Sequence, residues 1–289
     1  MKYVYYPGCT LESTALEYNV STRAVMQALG AELVELEDWT CCGASASEAT
    51  SYLLSMVLGA RNLAIGERMG VNADLLIPCS ACYLNLRRVE DHVGRDDKLL
   101  GRINEALQGE GLEYKGGIRV RHFLDVISRD FTPEDVSSLV KKKLSGLRVA
   151  PYYGCQALRP YSDFDDPQQP RSMEPLIEAL GAEVHPWEMR AKCCGAALMN
   201  TKKEVALELT AGILRSARGA DCVISVCPMC QLNLEAYQEA ISKAQGEDLS
   251  ISVLYLPQLM GLAFGLPQEE LKLDLNLALT GPFREKLGL

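Results

Sequence analysis

The segments "ADLLIPCSACYLNL", residues 73–86, and "ADCVISVCPMCQLNL", residues 220–234, share one layout. Each begins with an apolar run of strand length, turns at a CxxC and continues with leucines spaced as in a helix. Strand, cysteine loop and helix in that order are the first steps of a βαβ unit, and such units stack into a parallel sheet with helices on its faces.

Outward from these segments the chain goes on repeating itself. "ALGAELVELEDWTCCGA", residues 28–44, answers "ALGAEVHPWEMRAKCCGA", residues 179–196. Cys9, Cys41, Cys42, Cys79 and Cys82 follow C-x31-CC-x36-CxxC, and Cys155, Cys193, Cys194, Cys227 and Cys230 follow C-x37-CC-x32-CxxC. Asn85 and Asn233 each stand three places beyond the CxxC. A chain written twice folds as two copies of one module. The junction is expected at 145–147, giving domains 1–145 and 146–289, each expected to carry its own cysteine site. Just before it, Lys141, Lys142 and Lys143 are expected to close a helix, solvated and favoured by the helix dipole.

In copy one, strands are expected at 3–6, 32–36, 74–78 and 119–123, with helices over 12–29 and 45–69 and another beginning at 81–89. Copy two offers strands at 149–153, 182–187 and 222–226, and the apolar run 253–266 reads as a strand leading into a short buried helix. The fold class is therefore α/β: two pseudo-symmetric, Rossmann-like domains, each a mainly parallel sheet flanked by helices. In such a sheet every strand-to-helix loop leaves from the edge of the strand C-termini. Cysteines separated by more than thirty residues in sequence are thereby brought to one rim.

A chain of 289 residues with a formal charge of −9 can bury two cores and repels phosphate backbones and anionic lipid, so neither nucleic acid nor a polybasic membrane contact is expected. No run is long and apolar enough to span a membrane, and Pro7 interrupts the N-terminus before a signal-peptide core could form. Eleven cysteines in such a chain point to a reducing cytoplasm, where thiols bind metal or do redox chemistry.

Five convergent thiols exceed the four that a tetrahedral zinc ion takes. The adjacent thiols of each CC pair diverge along the backbone and can reach different iron atoms, while Gly43 and Gly195 allow close backbone approach. An iron–sulfur cluster is the inference, with zinc and a thioredoxin-like dithiol as the alternatives. Cys222 aligns with Leu75 inside a strand and reads as a buried residue. His122 reads as a packed strand end, and Tyr5, Tyr6, Tyr152 and Tyr153 as strand core. No GxGxxG follows a strand, so neither flavin nor nicotinamide is expected on this chain, and electrons would come from a partner.

"YYPGCT", the two CCG elements, "PCSACYLNL" and "CPMCQLNL" resemble the B-type subunits of heterodisulfide reductase, which are cysteine-rich CCG-domain proteins, over nearly the whole chain. The resemblance implies two noncubane [4Fe-4S] clusters. One would be held by Cys9, Cys41, Cys42, Cys79 and Cys82, the other by Cys155, Cys193, Cys194, Cys227 and Cys230. It also implies reductive cleavage of a small (hetero)disulfide such as CoM-S-S-CoB at the clusters themselves, with no further catalytic side chain. Implied partners within a heterodisulfide reductase-type complex are a ferredoxin-like iron–sulfur protein, its C component, and a flavin-bearing protein, its A component. The 253–266 run or the tail after Pro267 would be the dock. Relatives with this cysteine pattern serve instead as electron-transfer subunits of quinone-, organic-acid- or sulfur-linked oxidoreductases, which is the alternative function.

Overall fold

The computed structural model of the chain describes residues 1–44 and 46–289. Strands β1 (Lys2–Tyr5), β2 (Glu32–Glu35), β3 (Leu75–Ile77) and β4 (Val120–His122) form one sheet in the order β2-β1-β3-β4. Strands β5 (Arg148–Tyr152), β6 (Glu183–Val184), β7 (Cys222–Ser225) and β8 (Ser252–Tyr255) form a second in the order β6-β5-β7-β8. Every pairing of these strands is parallel, with Val4 opposite Leu75 in the first sheet and Val149 opposite Cys222 in the second. The inner strands β3 and β7 are buried along their whole length, as sheets covered on both faces require.

Helices cover those faces. In the first half α1 (Leu16–Ala28), α2 (Ala46–Thr50), α3 (Tyr52–Arg68), α4 (Ser80–Val93) and α5 (Asp97–Leu107) connect the strands, and α6 (Phe123–Arg129) and α7 (Pro133–Ser138) lead on to β5. In the second, α8 (Glu174–Ala179), α9 (Lys203–Ser216), α10 (Pro228–Ala236) and α11 (Gln238–Gln245) do the same. Past β8 come α12 (Leu256–Phe264), α13 (Gln268–Leu271) and α14 (Gly281–Leu287). One apolar cluster runs from Val4 and Leu76 in the first sheet to Ile224 and Leu254 in the second, so the halves share a core.

Several expectations need correction. The helix foreseen over 45–69 is broken at Ser51, whose hydroxyl accepts the Leu54 N–H and starts α3 afresh; its first residue, Ser45, lies outside the described residues. The strand foreseen at 182–187 shrinks to Glu183–Val184, since Pro186 has no N–H for a ladder. Lys141–Lys143 do not close α7, which ends at Ser138. They cap other helices: the Lys141 and Lys142 N–H groups donate to the Ala263 carbonyl of α12, and Lys142 Nζ donates to the Leu287 carbonyl of α14. The run proposed as a partner dock is mostly interior, because α12 packs on α1 of the first half.

The repeat fails most where β5 leaves its sheet. α8, the counterpart of α1, keeps only six residues, and residues 155–173 ahead of it form a proline-punctuated loop. That loop belongs to the seam between the halves. Phe164 stacks on His122 with ring centroids 6.0 Å apart, and Asp163 pairs with Arg87 at 2.7 Å and accepts from the Tyr83 hydroxyl. On the other side of the seam Tyr18 of α1 stacks on Tyr255, centroids 4.1 Å apart.

Candidate metal centre

Strand order 2-1-3-4 sends the chain from its first strand to one neighbour and then back across to the other side. The crevice at such a reversal, beyond the strand C-termini, is where open α/β sheets bind ligands. Cys9 follows β1 and Cys79 follows β3, so the two flank that crevice, and Cys41 and Cys42 enter it from the loop after β2. Cys155, Cys227 and the Cys193–Cys194 pair are placed alike around β5, β7 and β6. Topology alone thus gathers each set of five.

Side chains complete the gathering. In the first nest Cys42 Sγ lies 3.2 Å from Cys82 Sγ, with Cys41 and Cys79 beside them, one in the loop after β2 and the other at the start of α4. Cys9 follows Gly8, whose α-carbon faces the Cys82 sulfur. In the second, Cys194 Sγ lies 3.5 Å from Cys230 Sγ, and Cys155, Cys193 and Cys227, all free thiols, stand around the pair. The second set also walls one small cavity together. Cys222 stays apart, fully buried in β7, with burial pushing its thiol up.

Protons are shared unevenly within each nest. Hydrogen bonds from Cys41 and Cys82 hold Cys42 well below the ordinary thiol range, while Cys82 itself is raised by its bonds to Cys42 and Cys79. The Cys155 thiol, the Gly195 N–H and the charge of Arg159 bring Cys193 down to about 6. Cys227 comes down to about 7 through the Cys230 thiol and the backbone N–H groups of Cys230 and Met229, at the start of α10. Cys42 in the first nest and Cys193 and Cys227 in the second are thus held toward thiolate, the ligating form, while the thiols beside them, Cys41 and Cys82, Cys155 and Cys230, are pushed the other way.

The scaffold repeats as closely as the sulfurs do. Tyr6 and Tyr152 donate to the carbonyls of Thr40 and Lys192, at 2.7 Å each, and so fix the residue before each CC pair. Asn85 and Asn233 donate to the carbonyls of Cys42 and Cys194. Gly43 and Gly195, at φ +80° and +79°, aim their N–H groups at Cys41 Sγ and Cys193 Sγ. Gly8 and Gly154 were not singled out from the sequence, although each precedes the first cysteine of its set; a Cβ on either would stand 3.0 Å from the sulfur of Cys82 or Cys230. All four tyrosines taken for core are buried; Tyr6 and Tyr152 also hold the site through their hydroxyls, while those of Tyr5 and Tyr153 donate to Asn19 and Glu174.

Two thiolates on one tetrahedral ion at ~2.3 Å lie about 3.8 Å apart. The Cys42–Cys82 and Cys194–Cys230 separations approach that figure, which leaves three sulfurs per nest for further metal atoms. Among the described residues no three His, Cys, Asp or Glu side chains close on a single-ion site. The donor set, all sulfur and five strong, suits a polynuclear iron–sulfur group. Solvent reaches the nests at Cys9, Cys41 and Cys193, and beside Cys193 opens a hollow of ≈ 780 Å³ bordered by Arg159, Arg171, Arg190, Lys192 and Glu188.

The model of the CCG family, the cysteine-rich domain, matches residues 3–87 and again 149–235. The 8-methylmenaquinol:fumarate reductase membrane anchor subunit of Wolinella succinogenes is 39% identical, the alignment covering 96% of both chains. A protein of Archaeoglobus profundus, itself described as like the B-type subunit of heterodisulfide reductase, is 31% identical over 93% of each chain. The B-type subunit of the ferredoxin/F420H2-dependent CoB-CoM heterodisulfide reductase of Methanosarcina acetivorans is 29% identical over 98% of this chain and 95% of its own. A solved structure, that of a hypothetical protein from Helicobacter pylori, superposes with a TM-score of 0.77 at 17% identity. It covers 96% of this chain, which spans 52% of that one, and the likeness is one of fold.

Proposed function

The chain belongs to the cysteine-rich CCG-domain family, its relatives including B-type subunits of heterodisulfide reductase, and from that premise we propose that it is the disulfide-reducing subunit of such a complex. Its substrate would be a (hetero)disulfide of the CoM-S-S-CoB kind, which takes two electrons and two protons to become two thiols. Cys9, Cys41, Cys42, Cys79 and Cys82 would hold one noncubane [4Fe-4S] cluster, and Cys155, Cys193, Cys194, Cys227 and Cys230 the other. The observation that carries this proposal is the pairing of two five-sulfur nests, each at the reversal point of its own sheet.

When bound, the clusters supply one-electron exchange and iron with affinity for sulfur. The protein holds the thiolates, keeps water from the six buried cysteine sulfurs and leaves Cys9, Cys41 and Cys193 at the surface. The cationic border of the hollow at Cys193 offers counter-charge to an acidic substrate. Electrons would come from a ferredoxin-like iron–sulfur partner and a flavin-bearing partner, in the cytoplasm. No helix among the described residues is long and apolar enough to cross a membrane.

Anaerobic purification with iron and acid-labile sulfide analysis tests the proposal, about eight irons per chain being expected for two four-iron clusters. Cys42→Ala should remove about half of that iron, and a thiol titration should change the EPR signal of the wild type. A colourless, iron-free protein, or full iron retention in the variant, would refute the assignment. The Wolinella succinogenes relative favours a second reading, an electron-transfer subunit of a quinone-linked oxidoreductase. Then the clusters would be present and their spectra would respond to a quinol analogue but not to thiol.

A further inference from the structure

The carbonyl before a ligating cysteine shares one rigid peptide plane with that cysteine's nitrogen and α-carbon, so a donor on the oxygen helps to fix the direction in which the sulfur leaves the chain. Side-chain hydroxyls hold four such carbonyls here. Tyr6 and Tyr152 hold those before Cys41 and Cys193, each at 2.7 Å and each from within its own half. Tyr18 of α1 holds the Pro78 carbonyl, before Cys79, at 3.0 Å. The fourth, the Val226 carbonyl before Cys227, is held at 3.0 Å by Ser80, which comes from the other half of the chain.

The repeat explains the exchange. Counted back from the ALGAE that both copies share, the place of Tyr18 falls on Gln169, which is exposed in the 155–173 loop, so the second half has no hydroxyl there to offer. Ser80, between Cys79 and Cys82, stands in for it; it is 1% exposed and lines the small cavity of the second nest. His122 sets the direction of its bond. The buried ring, stacked on Phe164, accepts the Leu124 N–H at Nδ1 over 3.1 Å, which assigns the proton of the neutral ring to Nε2. Nε2 lies 3.1 Å from Ser80 Oγ and donates to it, and Oγ donates in turn to the Val226 oxygen. The support runs one way, because the counterpart of Ser80 is Pro228, which has neither a hydroxyl nor an N–H to return.

We propose that Ser80, oriented by His122, is a positioning residue for the second nest and not for the first, in whose CxxC it stands: its bond to the Val226 carbonyl aims Cys227 at the cluster. Without the hydroxyl a buried carbonyl loses its donor, and the Val226–Cys227 peptide is free to turn. An outer partner of a metal ligand is worth roughly 10–100-fold in affinity, so a cluster on an unaimed ligand is more readily stripped. The first nest keeps its own support at this place, Tyr18 on the Pro78 carbonyl. The inference rests on the ligand assignment proposed above.

Anaerobically purified full-length chain tests it in two backgrounds: Cys42→Ala, where the iron left is that of the second nest, and Cys194→Ala, where it is that of the first. Iron content of the unsubstituted chain comes first, since absence of two clusters there defeats the ligand assignment itself. With both clusters present, Ser80→Ala should lose iron to a chelator roughly tenfold faster in the Cys42→Ala background and change its EPR signal. In the Cys194→Ala background the same substitution should leave rate and signal as they were. Ser80→Thr, which keeps a hydroxyl, should restore both in the first background. Unchanged iron loss in Cys42→Ala, or faster loss in both backgrounds, misfolding included, would overturn the proposal. So would a threonine variant that behaves as alanine does, because Ser80 would then act by packing.

Discussion

Gly8 and Gly154 show how little space the sulfurs leave. Each lies in the left-handed region, at φ +74° and +69°, and each points the place of its missing Cβ at a buried sulfur. A methyl group there meets two penalties, a left-handed backbone of roughly 1–2 kcal/mol and a displaced cysteine. Gly8→Ala is therefore expected to lower stability by about that amount and to lose the first nest's iron while sparing the second; Gly154→Ala should do the reverse. Denaturant melts of the iron-free protein and iron counts on the loaded one would check this, and full iron in both variants would contradict it. The gathering of the ten cysteines was legible because their matched spacings set them in the strand-to-helix loops, which leave a parallel sheet from one edge. The parts of Tyr6 and Tyr152 were not, since the carbonyls they hold, at Thr40 and Lys192, lie 34 and 40 residues further along.

Elements were most legible where one physical term dominated. Strands β3 and β7 are covered on both faces, so their sequences are unbroken apolar runs, and Gly30 ends the segment after α1 in a left-handed turn. The break at Ser51 was hidden because apolar residues keep helical spacing across it, and only the serine hydroxyl marks the new start. Removing that cap by Ser51→Ala should cost about 1 kcal/mol and shift the urea midpoint without changing iron content. An unchanged midpoint would mean that packing alone starts α3. The 155–173 loop was illegible for another reason: Phe164 and Asp163 find their partners, His122 and Arg87, in the other half of the chain. A repeat read from cysteines reports what two modules share and misses what joins them.

That join gives the whole molecule its dependence on pH. Glu235 of α10 is buried near the seam, and burial raises its carboxyl to about 7 despite the Asn276 amide that donates to it. Glu17 of α1 is raised in the same direction by burial and contributes to the shift at Glu235. With an ordinary value of 4.5, the folded chain binds a proton at Glu235 that the unfolded chain has released. Stability contributed by this residue is thus present at the acid end, falls as pH rises above about 4.5 and is gone beyond about 7, a difference of at most about 3 kcal/mol. His122 slopes the other way: burial lowers it to about 3, so its share is lost as pH falls from 6.5. Glu235→Gln keeps an acceptor for Asn276 without a charge, which isolates the first slope. Urea melts between pH 5 and 8 should show the variant matching the wild type at the acid end and exceeding it above neutrality. Parallel curves for the two proteins would place the Glu235 charge in water rather than at the buried join between the halves.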